Sequence, residues 1–312
     1  MIKSQTFVLV AALAVAAGCG KAKEPAGGGA ASGTGKVNAN APAVDVVAEK
    51  LHAGIECLNR HSGRVFDARD TYYQRVPPDK QPEPGTEYSL LGLYPIDQCV
   101  TKLKAASALT PAAPELDPAA LAYLAALEAL VPIYEAHAGY YKKGEFRTDE
   151  GKGGIAGHAK LVAAFTAFAS ANRTYSDLVG AENRRRRVAD LAEREKKGGR
   201  KLPVVLDSMM LEAETVIESL SADAAALDLP GLEGKVTVYA KLVDEFAAYV
   251  GAHPDEAEAY GSRQNLINYS QSFLGKVRGI LAALKDKKPV SVDEFQRASD
   301  DYNSIVDNYN RH

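Results

Sequence analysis

Positions spaced three and four residues apart run through most of this chain, and that spacing restricts its fold more than any other feature. Leu51, Ile55, Leu58, Ser62, Val65, Ala68, Tyr72 and Val76 follow one another at these intervals, most of them apolar. Side chains at that interval share one side of an α-helix, so they form a single stripe along about 26 residues. A half-buried strand would alternate with period two instead. Pro77-Pro78 ends the segment, because proline has no backbone N–H to continue the helical ladder.

The same pattern recurs along the chain. After a loop rich in proline and glycine over residues 77–95, a second helix starts near Ile96 with Cys99, Leu103 and Ala106 on one side. Asp117-Pro118 reads as an N-cap followed by proline at the first helical position, opening a third helix that Pro132 should kink or break. A fourth helix begins near Gly154, carries Leu161, Phe165, Phe168, Tyr175 and Val179, and extends toward Lys197 before Gly198-Gly199. Leu206 to Leu220 and Leu266 to Leu284 supply two more. Ser291 and Glu294, at capping-box spacing, open the last. Val236 to Lys241 alternates like a strand but runs into Leu242, Phe246 and Tyr249, so it is read as the start of a helix. The expected architecture is all-α: a bundle of about seven to eight long helices over residues 44–312, without a sheet. If it forms two sub-bundles, the boundary is expected near 198–203.

The segment before this domain concerns address rather than fold. Lys3 precedes an unbroken apolar run from Phe7 to Ala17 that closes on Gly18-Cys19. A basic start, a short apolar core and small residues at its end describe a secretory signal, here residues 1–18. The run is too short to span a bilayer, which takes roughly 20 apolar residues. Small residues before Cys19 resemble the bacterial lipobox, in which that cysteine is acylated and becomes the new N-terminus; Ala16 stands where the motif usually has leucine. Gly20 and Lys21 follow rather than aspartate, which by analogy with enterobacterial sorting favours the outer membrane, facing the periplasm. Residues 20–43 are mostly Gly, Ala, Ser, Pro and Asn, a tether of about 24 residues with an r.m.s. reach of roughly 27 Å.

Setting Cys19 aside leaves Cys57 and Cys99, and an even remainder in an exported protein reads as one disulfide. Two buried free thiols are the plain alternative. A metal site built on the pair has little local support, since only His61 stands four residues after Cys57.

No motif of high specificity for catalysis or a cofactor is present, so no catalytic, cofactor or metal-ligating residue is assigned. The loop from Tyr140 to Gly154 contains Gly151-Lys152, but it lacks both the earlier glycine and the following Ser or Thr of a phosphate-binding loop. His158 invites comparison with the Gly-x-His-x-x-Glu signature of imelysin-like periplasmic proteins. Here the glycine is one position too late and Leu161 occupies the glutamate position, so the carboxylate is missing. None of His52, His61, His137, His253 and His312 has a histidine partner three or four residues away. The carboxylate pairs Asp301 with Asp307 and Glu212 with Glu214 read as surface charge. A formal net charge of −3 gives no reason to expect a nucleic-acid partner. The basic run Arg184-Arg185-Arg186-Arg187 suits contact with anionic lipid or an acidic envelope protein, although such runs are more often the solvated side of a long helix. Fifteen tyrosines against eight phenylalanines and no tryptophan suggest bundle ends sealed by rings with wet hydroxyls.

Tyr302-Asn303 and Tyr309-Asn310 in the last helix, Cys57-Leu58-Asn59 in the first, and Tyr140-Tyr141 with Asp149, Gly154 and His158 together resemble the YiiG-like family of bacterial lipoproteins. The resemblance spans about residues 44–310. That family is defined by a domain of unknown function, so it implies a helical envelope domain and no particular chemistry. If a family-specific surface exists, it would include Tyr141, Asp149 and His158; the simpler account is that Asp149 and its neighbours shape the entry to the following helix. The functional expectation is a lipid-anchored, non-enzymatic binding or interaction domain, with an imelysin-like metal- or ligand-binding module as the alternative.

Overall fold

The computed structural model describes residues 45–220, 227–258 and 263–311. Residues 1–44, which include the signal-like segment, Cys19 and the tether, lie outside the described residues. The described residues form nine α-helices and no strand. They are α1 (Val46–Tyr73), α2 (Asp97–Ser107), α3 (Leu116–Lys142), α4 (Lys152–Gly198), α5 (Leu202–Leu220), α6 (Leu229–Ala252), α7 (Pro254–Glu258), α8 (Arg263–Lys285) and α9 (Val292–Tyr309). The fold is all-α, as the spacing predicts. Contacts divide the chain into two compact units, one reaching to Val179 and one starting at Gly180, so the divide falls inside α4.

In the first unit, α1 opens where the Asp45 side chain accepts the Ala48 amide at 3.1 Å. Its stripe Leu51, Ile55, Leu58, Val65, Ala68 and Tyr72 is buried in one core with Leu103, Leu124, Leu127, Leu130, Tyr134, Phe165 and Phe168. The Cys57–Cys99 disulfide joins α1 to the first turn of α2, with Cα atoms 5.2 Å apart. By length and composition α3 is apolar enough to cross a membrane, but Leu124, Leu127, Leu130 and Tyr134 are packed into this core.

Two local expectations at α3 need correction. Of the kink or break expected at Pro132, the break does not occur: the helix continues through it. Packing holds it there, since Leu130 and Tyr134 on either side are both fully buried. Asp117 is not the N-cap; it lies within the first turn. Its carboxylate instead accepts the Ala113 amide at 2.7 Å and pairs with the buried Lys50 ammonium at 2.6 Å. A tertiary charge pair has taken the side chain that capping would use.

The second unit has its own core, built on Leu206, Met209, Ala213, Val216 and Ile217 of α5, Tyr239, Val243 and Phe246 of α6, Phe273 and Val277 of α8, and Tyr302 and Ile305 of α9. The helix containing Val236 starts earlier than its alternation suggests, at Leu229, where the Asp228 side chain accepts the Gly231 amide at 3.1 Å. The capping box on α9 forms as expected, with the Ser291 side chain and Glu294 exchanging hydrogen bonds with each other's backbone amides.

Glu214 is not a surface charge. It is buried and receives the Arg187 guanidinium at 2.6 Å. The Arg184 guanidinium bonds Thr215 and Glu218, and Arg185 bonds Glu182 at 2.6 Å. The basic run is thus largely engaged within its own unit, because α5 places carboxylates opposite α4.

Candidate functional site

The densest cluster of polar, titratable side chains in the first unit's core sits at the end of α1. The Tyr72 hydroxyl lies 3.0 Å from His137 Nε2 on α3 and 2.9 Å from His158 Nδ1 on α4. These contacts join residues 65 and 86 positions apart in sequence. Around them Tyr141 packs against the His137 ring at 5.1 Å and against Tyr88 at 5.2 Å, both edge-on. Edge-to-face packing is the arrangement aromatic quadrupoles prefer.

Two glycines let α4 approach this closely. A Cβ on Gly157 would lie 2.4 Å from His137 Nδ1, and one on Gly154 would lie 2.5 Å from the Tyr141 hydroxyl. The first turn of α4 is held by Asp149, whose carboxylate accepts the Gly151 amide at 2.9 Å, the Gly153 amide at 2.8 Å and the Tyr140 hydroxyl at 2.7 Å. The Tyr140 hydrogen bond is the main reason the Asp149 carboxyl sits below the usual range, with the two glycine amides adding to it.

Tyr72 has one proton to give, so at most one imidazole accepts it, and the other contact is an imidazole N–H donated to the phenol oxygen. Burial, assisted by His158, lowers the His137 pKa to about 4. Burial also lowers that of His158, opposed by the Pro78 carbonyl, although no protein partner meets hydrogen-bond geometry at its Nε2. Burial, with Tyr141 and Tyr88 beside it, pushes the Tyr72 phenol far up, so it stays protonated. The centre is a neutral phenol between two neutral imidazoles.

Of the three residues singled out from the sequence, two face inward: Tyr141 is 3% exposed and His158 is 5% exposed. Asp149 is partly exposed, but its two oxygens hold the start of α4. They share a local framework rather than an open ligand face. Tyr72 and His137 complete the centre; the stripe of α1 marks Tyr72 as core-facing, but nothing local shows that the two meet, since their partners arrive from distant helices. Among the described residues no carboxylate bonds His158, so the donor set of an imelysin-type metal site is not assembled there. Among the described residues, the group of His, Cys, Asp or Glu close enough to share one ion is Cys57, His61 and Cys99, discussed below.

The fold and this buried centre define a class: an all-helical protein of two compact units, the first of which holds a polar centre that joins three of its helices. Residues 45–311 match the model of a family described as "Protein of unknown function (DUF3829)", and the chain belongs to that family. It is also 26% identical over 293 residues, covering 86% of this chain and 81% of the relative, to the "Uncharacterized protein YiiG" of Escherichia coli (strain K12). No solved structure matches.

Proposed function

We propose that this protein is an exported lipoprotein, anchored through acylated Cys19, whose helical domain serves as a non-catalytic interaction module of the bacterial envelope. The observation that carries the proposal is the pattern from Lys3 through the apolar run Phe7–Ala17 to Gly18-Cys19. Its support comes from the other two cysteines, which are joined in a disulfide of the kind that persists outside the reducing cytosol. Membership of the family adds no reaction. The centre around Tyr72 supports a structural role, because its three residues are buried and the Tyr72 hydroxyl ties one nitrogen of each imidazole to α1. His158 bonds a phenol rather than a carboxylate, so an imelysin-type site forms no part of the proposal. Residues after Cys19 favour the outer membrane, with the domain in the periplasm.

The test is metabolic labelling with a palmitate analogue, followed by membrane fractionation of wild type and Cys19→Ala. Label on the wild type, its loss in the variant and release of the variant from the membrane fraction are expected. A Cys19→Ala chain that stays with the membranes and keeps the label would overturn the anchor.

A further inference from the structure

The geometry points to a second state of the Cys57–Cys99 pair: once reduced, Cys57, Cys99 and His61 form a three-coordinate site for a soft monovalent cation, copper(I). A ring nitrogen of His61 and the two sulfurs all lie within 4.8 Å of one another, and all three residues are buried. A trigonal ion with metal–sulfur bonds of roughly 2.3 Å and a metal–nitrogen bond of roughly 2.0 Å sets its donors about 4 Å apart. The sulfurs need only separate by a side-chain movement, since the Cα atoms are already 5.2 Å apart on neighbouring helices.

His61 is the observation that a structural disulfide leaves unexplained. It is 2% exposed, and its Nε2 has no hydrogen-bond partner among the described residues. A buried ring nitrogen without a partner is costly, and such atoms in native proteins call for an explanation.

The donor set selects the ion. Two thiolates and one imidazole are soft ligands that favour copper(I) or zinc(II). Zinc in closed sites takes four protein ligands. Among the described residues no further His, Cys, Asp or Glu joins this group. Three donors in a buried site satisfy copper(I) and leave zinc one short.

The step between the states balances as follows. A dithiol reductant attacks the disulfide twice in succession and ends as a disulfide itself, so its two electrons and two thiol hydrogens pass to Cys57 and Cys99. Copper(I) binding then displaces both thiol protons to solvent, and the neutral imidazole binds without losing a proton. The disulfide and the metal complex are mutually exclusive, so the site is open only in a reducing environment.

Full-length protein without an affinity tag, kept in detergent, would be reduced with a dithiol, freed of it by anaerobic gel filtration, and titrated with copper(I) against a chromophoric chelator. One copper per chain in the reduced protein, background copper in the oxidised protein, and zinc bound at least tenfold more weakly are expected. His61→Gln should weaken copper binding tenfold or more while keeping the helical circular dichroism signal. Should that variant fail to fold, X-ray absorption on reduced wild type decides, with two sulfur neighbours and one imidazole expected. Equal copper in reduced and oxidised protein would overturn the site. So would a spectrum without imidazole, stoichiometric zinc in preference to copper, or loss of helix on reduction that copper does not restore.

Discussion

Gly157 has no side chain where His137 needs the room. A methyl group there would meet His137 Nδ1 at 2.4 Å. Gly157→Ala should therefore destabilise the protein by about 1–3 kcal/mol, the usual cost of overpacking, despite the better helix propensity of alanine. Urea unfolding measures it, and an unchanged midpoint would contradict the close approach of α4 to α3. His137 itself predicts a pH dependence. Its folded pKa of about 4 lies below the ordinary value of 6.5. Above the unfolded pKa both states are neutral and the full contribution is present. As pH falls toward the folded pKa, the unfolded chain takes up a proton that the native chain refuses, so stability is lost across that window. At about 1.4 kcal/mol per pK unit the loss is roughly 3 kcal/mol at most, and His158 acts in the same direction. The urea midpoint should drop between pH 7 and pH 5, and by less in His137→Gln. Periodicity marks Tyr72 as a core-facing position, and a stripe of that kind is readable locally. That its hydroxyl meets two imidazoles is not readable, because those rings lie on helices specified by separate stripes.

At the scale of elements, most helices can be read from the sequence and most misreadings are at their ends. Body and periodicity agree because every turn of a helix repeats the same test of which side is apolar. Ends depend on single side chains that tertiary partners can claim. Asp117 illustrates this: its local chemistry suits a cap, yet buried Lys50 holds its carboxylate. Pro132 stays inside α3 for a similar reason, since the buried residues around it hold the helix in register. Ser291 has no such competitor and behaves as its spacing implies. Ser291→Ala should cost about 1 kcal/mol, the typical value of a lost N-cap, seen as a lower thermal midpoint. Ser291→Asp, which can still accept the amide, should recover most of it.

At the scale of the whole molecule, the disulfide links stability to compartment. Expressed in the cytoplasm without residues 1–18, the chain should carry Cys57 and Cys99 as free thiols, detectable by alkylation under non-reducing conditions. Oxidation should then stabilise it by roughly 4 kcal/mol, because the bridge closes a loop of 42 residues in the unfolded chain. A midpoint indifferent to reductant would show that the bridge contributes nothing to the fold. The second unit adds a feature the sequence reading assigned to the surface: Glu214, buried opposite Arg187. Glu214 lies four residues after Met210 and three before Ile217, at the stripe's own spacing, so it is carried to the buried side, where the neighbouring helix presents a guanidinium to it.

The sequence alone determined the helical class, the places of the long helices and the family, because each rests on patterns that repeat or persist over many residues. It also supplied the main basis for the proposed address, in the segment ending at Cys19, to which the disulfide adds support. Only the tertiary structure decided which side chains meet. Tyr72, His137 and His158 form one centre because packing brings together residues whose separation along the chain leaves no local trace, whereas His61 and Cys57 already share a helical spacing and only Cys99 arrives from another helix.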